Sequence, residues 1–128
     1  MAGEKRKPKR PKDLLFKPSQ FGRVEGAPWR DVPDEERHRL GAAYFQHRVA
    51  LHVKRAIDLD PHLTLESFAA RVGMTPDTLR RKLYGTSVVS LAEIVALADV
   101  AGVDVLPVIQ SREDLFPHRA APRPAETE

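Results

Sequence analysis

Three cations stand in a row in the stretch TPDTLRRKLYG, which runs from Thr75 to Gly85: Arg80, Arg81 and Lys82. A guanidinium is a planar fork of N–H donors. It fits paired acceptors, such as guanine O6 and N7, or it clamps a phosphate. Asp77 precedes the two arginines by three and four residues. It either accepts from cytosine N4 or stabilises the start of a helix. A second basic group crowds residues 4–12: Lys5, Arg6, Lys7, Lys9, Arg10 and Lys12, with only Glu4 against them. Such a run is a solvated, extended arm by default, and arms of this kind often touch polyanions. In most proteins a row of cations on a helix is only solvated surface. What surrounds it decides whether it does chemistry.

Other chemistry finds little support. The five histidines are His38, His47, His52, His62 and His118. None sits in an HExxH pattern or a Cys/His finger. His47 and His52 fall on opposite-leaning faces of one helix, so no metal site is expected. There is no GxSxG, no GxxxxGK[ST] and no GxGxxG, and the carboxylates form no acid/base dyad. Neither an enzyme nor a cofactor is expected. Cysteine is absent, which excludes disulfides and cysteine metal sites. No apolar run approaches the ~20 residues of a membrane span, and the N-terminus lacks the apolar core of a signal peptide. The expectation is a cytoplasmic protein. Its 128 residues, 41% of them hydrophobic, suffice for one domain of ordinary size.

The elements that position the cations read as an all-α domain. Residues 1–33 combine the basic arm with an irregular apolar segment carrying Leu14, Leu15, Phe16, Phe21, Val24 and Trp29. Pro8 and Pro11 keep the arm out of helix and sheet. The apolar residues need covering, and Phe21 and Trp29 are expected to drape over the domain rather than stack on a base. A long helix spans about Asp34 to Asp58, acidic at its start and basic towards its end, as the helix dipole favours. It carries two apolar stripes. Phe45, Val49, Val53 and Ala56 form one. Leu40, Tyr44 and Leu51 form the other, which must face either the 14–29 segment or another subunit. Short punctuated helices follow. Thr64 caps LESFAARV and Gly73 ends it. Thr75 caps the next helix, with Pro76 in its first position and Leu79 and Leu83 pointing inward. Ser90 and Glu93 have capping-box spacing ahead of LAEIVALADVA. Residues 103–109, VDVLPVI, read as a short strand or a last helical turn. From Ser111 to Glu128 the chain reads as a disordered tail.

Ala69, Gly73, Met74 and Leu79 have the spacing of a helix-turn-helix unit. With them the stretch LTLESFAARVGMTPDTLRRKLYGTSVVSLAEIVALADVAGV, Leu63 to Val103, resembles the Cro/cI-type (XRE) family of DNA-binding domains. The LRRKLYG ending is similar to the branch common in actinobacteria and their phages. The resemblance implies a five-helix lambda-repressor-like domain over residues 34–110, whose helix 75–84 enters the major groove of double-stranded DNA. It departs from the family in its longer first helix, and in Pro76 where relatives often carry a base-reading polar residue. Asp77, Thr78, Arg80 and Arg81 are then the expected base contacts. Thr75, Lys82, Tyr84, Thr86, Ser87 and the Glu66 backbone N–H are the expected phosphate contacts. A nucleoid-associated homodimer is expected, joined through Leu40, Tyr44 and Leu51 or through Val103, Val105 and Ile109. Two functions remain open. One is a sequence-specific transcriptional regulator of the repressor type. The other is a protein-interaction adaptor or antitoxin-like module with non-specific DNA affinity, docking a protein partner through the first helix. With no room for an effector domain, control by abundance or by a partner is expected over control by a small molecule.

Overall fold

The computed structural model describes residues 10–104. It is all-α there, with four α-helices: α1 (Arg37–Leu59), α2 (Leu65–Val72), α3 (Pro76–Leu83) and α4 (Leu91–Ala101). The resemblance implies five. The expected strand at 103–109, the tail from 111 and the arm residues Lys5, Arg6, Lys7 and Lys9 all reach or lie outside the described residues.

The long helix begins three residues later than the sequence suggests. Asp34–Glu36 form a single 3-10 turn before α1 starts at Arg37. At about 1.5 Å per residue the 23 residues of α1 span some 34 Å. Two cores form along that length. Phe45, Val49, Ala50 and Val53 pack with Phe68, Ala69, Leu79, Leu83, Ile94 and Leu97 from the three shorter helices. Leu40 and Ala43 pack with Leu14, Leu15, Phe21 and Ala27, with Trp29 and Val32 against them.

The second core corrects three expectations. Leu40 is 4% exposed beneath the N-terminal segment, so it is not available for a partner subunit. Tyr44 is half-buried and stands edge-on to Trp29, and Leu51 is half-buried as well. Leu40 and Tyr44 thus meet the 14–29 segment, while no packing of Leu51 on that segment is seen among the described residues. Arg10 and Lys12 do not belong to a free arm. Pro11 opens a 3-10 turn, Pro11–Leu14, and is itself buried. Arg10 grips Asp13 with two bonds of 3.0 Å, and the Lys12 N–H donates to the Gly85 carbonyl. The segment also does not bury everything apolar it carries: Phe16 and Val24 stay exposed. Burying Leu14, Leu15 and Phe21 is worth about 1.5–3 kcal/mol each, enough to make residues 10–33 a fixed strap rather than a loose leader.

Two glycines set how closely the strap approaches α3. A Cβ on Gly22 would collide with the Leu83 carbonyl oxygen, and one on Gly85 would meet the Phe21 ring at 2.7 Å. Gly22 therefore lets the strap meet the last α3 carbonyl backbone to backbone, and Gly85 leaves room for the Phe21 ring.

Candidate nucleic-acid interface

The pair α2 and α3 is built by local rules that the sequence announces. Thr64 caps α2, its Oγ1 accepting from the Ser67 N–H at 3.0 Å, while Ser67 Oγ accepts in return from the Thr64 N–H. Gly73 closes the helix at φ +81°, the left-handed region. The Met74 N–H then folds back to the Ala69 carbonyl. Ala69 and Leu79 are fully buried at the crossing. Thr75 caps α3 and Pro76 takes its first position. Leu79 and Leu83 turn inward, which leaves Asp77, Arg80 and Arg81 exposed.

Those three side chains form one cluster. Asp77 Oδ2 meets Arg81 Nε at 3.2 Å, and Asp77 Oδ1 lies 4.0 Å from Arg80 Nη1. Exposed pairs of this kind are worth about 0.2–1 kcal/mol, whereas a bidentate arginine–guanine pair discriminates by about 1–3 kcal/mol. Thr75 and Thr78 are engaged with each other. The Thr78 N–H donates to Thr75 Oγ1, and the Thr75 hydroxyl donates to Thr78 Oγ1 at 2.9 Å.

The expected phosphate contacts divide. Lys82 is spent inside the fold. Its Nζ donates to the Val88 carbonyl at 2.7 Å and pairs with Glu93 at 3.1 Å, and the side chain is only 15% exposed. It drops out of the contact set. Glu93 is held below its ordinary carboxylate range first by the Ser90 N–H, then by Lys82, against the opposing effect of burial. The N–H groups of Thr86 and Ser87 both close onto the Arg81 carbonyl, so only their hydroxyls remain to offer. Tyr84 is half-buried under the Arg23 guanidinium, 4.0 Å from its ring centroid. At the start of α2 the Thr64 cap uses the Ser67 N–H, so the Leu65 and Glu66 N–H groups are left for an anion, with the Glu66 carboxylate beside them. Val103 belongs to the molecule's own core, while Val105 and Ile109 lie outside the described residues.

Three residues that hold the site do not stand out in the sequence. Gln46, 3% exposed, reaches from α1 to the far end of α3. Its Nε2 donates to the carbonyls of Lys82 (2.7 Å) and Ser87 (3.0 Å), and its Oε1 accepts from the Val89 N–H. His47 is 2% exposed, and its Nδ1 accepts from the Gly22 N–H at 2.8 Å. Burial pushes the imidazole down to about 4, although the Val24 backbone carbonyl opposes this. Arg23 is the third, through Tyr84. The available signal was a polar pair, Gln46–His47, set inside the apolar stripe between Phe45 and Val49. No family model, no curated protein and no solved structure matches this chain, so its resemblance rests on its residues alone.

Proposed function

We propose that the chain is a sequence-specific DNA-binding regulator, repressor-like, that inserts α3 in the major groove. One observation carries the reading. The outward face of a short, capped helix presents Asp77, Arg80 and Arg81 together, while the helix itself is clamped from behind by Leu79, Leu83 and Gln46. Rigid presentation of a few forked donors is what base readout requires. Arg80 and Arg81 read bases. Thr86, Ser87 and the Leu65–Glu66 N–H groups meet phosphates, which position without specifying. Arg10 lies two residues from Lys12, whose N–H bonds Gly85 at the end of α3. That supports basic residues 5–9 reaching the same duplex. The regulator acts as a homodimer in the cytoplasm, at the nucleoid.

Selection of sites from a random duplex pool tests this, with wild type beside Arg80→Ala/Arg81→Ala at two salt concentrations. The expected result is a sharp motif that the double variant loses. Weak, steeply salt-dependent binding by both proteins, with no enriched motif, would overturn the reading.

A further inference from the structure

The strap and the end of α3 share one surface. The Lys12 N–H donates to the Gly85 carbonyl at 3.0 Å, and a Cβ on Gly85 would stand 3.0 Å from the Lys12 Cβ. The Lys12 side chain therefore leaves the strap beside the turn that closes α3. Gly22, held by His47 at 2.8 Å, abuts the Leu83 carbonyl, so Arg23 leaves the strap beside the same turn. The exposed Arg23 guanidinium lies 4.0 Å from the Tyr84 ring centroid. Stacking uses the face of the guanidinium and orients the N–H fork that lies in its plane. The returning limb of the strap is fixed too, by the antiparallel bridge between Leu15 and Trp29. Two cations far apart in the chain are thus set at one end of α3, next to Thr86 and Ser87. The carboxylates beside them in sequence are turned elsewhere. Asp13 is held below its ordinary range first by its bond with Arg10, and Lys12 contributes least. Glu25 leans towards Arg55 at 4.0 Å. Among the described residues neither Lys12 nor Arg23 is in an ion pair. Cations at the C-terminal end of a helix also suit its dipole. Yet the last carbonyls of α3 are already satisfied, that of Arg80 by Tyr84, that of Arg81 by Thr86 and Ser87, and that of Lys82 by Gln46. Neither cation donates a side-chain bond to any of them.

We propose that Lys12 and Arg23 clamp the phosphate backbone of the duplex that α3 enters, so that the strap is part of the DNA interface as well as a cover for α1. Arg23 offers its fork to two oxygens of one phosphate, and Lys12 acts as a point charge on the backbone nearby. Both contacts position the protein without reading sequence. They also set how α3 lies in the groove, because the strap is bonded to the turn that closes that helix. The clamp rests on the DNA-binding reading, and the experiment separates the two.

Affinity of the full chain for its selected duplex, measured against salt, is the test. Each phosphate contact contributes about 0.9 to the slope of log affinity on log salt. Arg23→Gln and Lys12→Gln keep most of the stem and remove the charge. Each is expected to leave the melting temperature within a few degrees of wild type and the selected motif unchanged. Each should flatten the slope by about 1, so that a rise in salt of about four-fold weakens the variant roughly three- to four-fold less than wild type. Arg23→Lys should recover the slope. A single uncharged methylphosphonate linkage, moved along each flank of the site, locates the contact. At one position the wild type should weaken while Arg23→Gln weakens no further. A purely structural role would leave the variant sensitive to every linkage that the wild type senses. The clamp is overturned if either glutamine variant keeps the wild-type slope, or if no linkage affects the wild type more than Arg23→Gln. With the motif retained, that outcome leaves the regulator reading standing. If the wild type selects no motif, the regulator reading fails and the clamp falls with it.

Discussion

Asp77 ties back both arginines that the proposed readout needs, so its removal has a sign. In Asp77→Ala the forks are freed and a carboxylate no longer faces the phosphates. Affinity for a random duplex should rise several-fold, and selectivity for the chosen motif should fall. The helix loses an acidic residue in its first turn, worth about 0.3–1 kcal/mol, so stability barely moves. Fluorescence anisotropy on random and selected duplexes measures both. Weaker binding to the two alike would mean instead that Asp77 makes a productive contact of its own. His47 gives a second residue-scale prediction. Folded, its imidazole sits at about 4; unfolded, at about 6.5. As pH falls the unfolded chain takes the proton first. The stability due to a neutral, buried His47 is therefore complete above about pH 6.5, drains away towards pH 4, and is absent below. The whole gap is worth about 3 kcal/mol. Urea midpoints across that range should slope for the wild type and flatten for His47→Gln. Asp13 and Glu93, both held low by their partners, act in the same direction but only in the more acidic carboxylate range.

Among the elements, α3 is short, and its orientation depends on what grips its C-terminal end. Eight residues form too few internal bonds to be stable alone. Gln46 supplies three of the bonds that fix the end and the loop after it. Gln46→Ala should strand two carbonyls and one N–H, at a cost of about 1–3 kcal/mol for the buried groups. Hydrogen exchange at the Val89 N–H should accelerate by more than global unfolding explains. If Val89 exchanges only as fast as the whole molecule unfolds, Gln46 is a packing residue and no clamp. This clamp also marks where sequence reading stops. Caps and turns were legible because each is local: Thr64, Thr75, Ser90 and Gly73 act on neighbours within five residues. The inward residues of α3, Leu79 and Leu83, were legible because helical period reports them, whereas the apolar face that the same period marks on α4 includes Leu91 and Val95, which are exposed. Gln46 and His47 act across 36–43 and 25 residues. No pattern in a single chain encodes such pairings. The engagement of Lys82 was not legible either, since its partners Val88 and Glu93 lie in and beyond the loop after α3. The strap was half legible: its apolar residues called for a cover, but not for a turn that begins at Pro11.

At the scale of the whole molecule, the strap covers Leu40, one member of the stripe that a dimer could use, and a second apolar surface is left bare. With Leu40 covered, the exposed large apolar side chains close to the recognition unit are Val88 (63%), Leu91 (75%) and Val95 (54%). Leu91 and Val95 are one turn apart on α4, and Val88 sits in the loop that leads from α3. A second copy meeting there would bring two α3 helices to one duplex with two-fold symmetry, and the operator would be near-palindromic with half-sites about one helical turn apart. Leu91→Gln tests this without adding charge that would attract or repel DNA. Leu91 is solvent-exposed at the first position of α4, so the melting temperature should stay within a few degrees of wild type. Affinity for an isolated half-site should be unchanged, while binding to the full site should lose its steepness and fall about ten-fold or more. Sedimentation on DNA should show one chain per duplex where the wild type shows two. Unchanged stoichiometry and steepness would mean that the copies join elsewhere, or that a single chain lies along the DNA, and the selected motif would then be asymmetric.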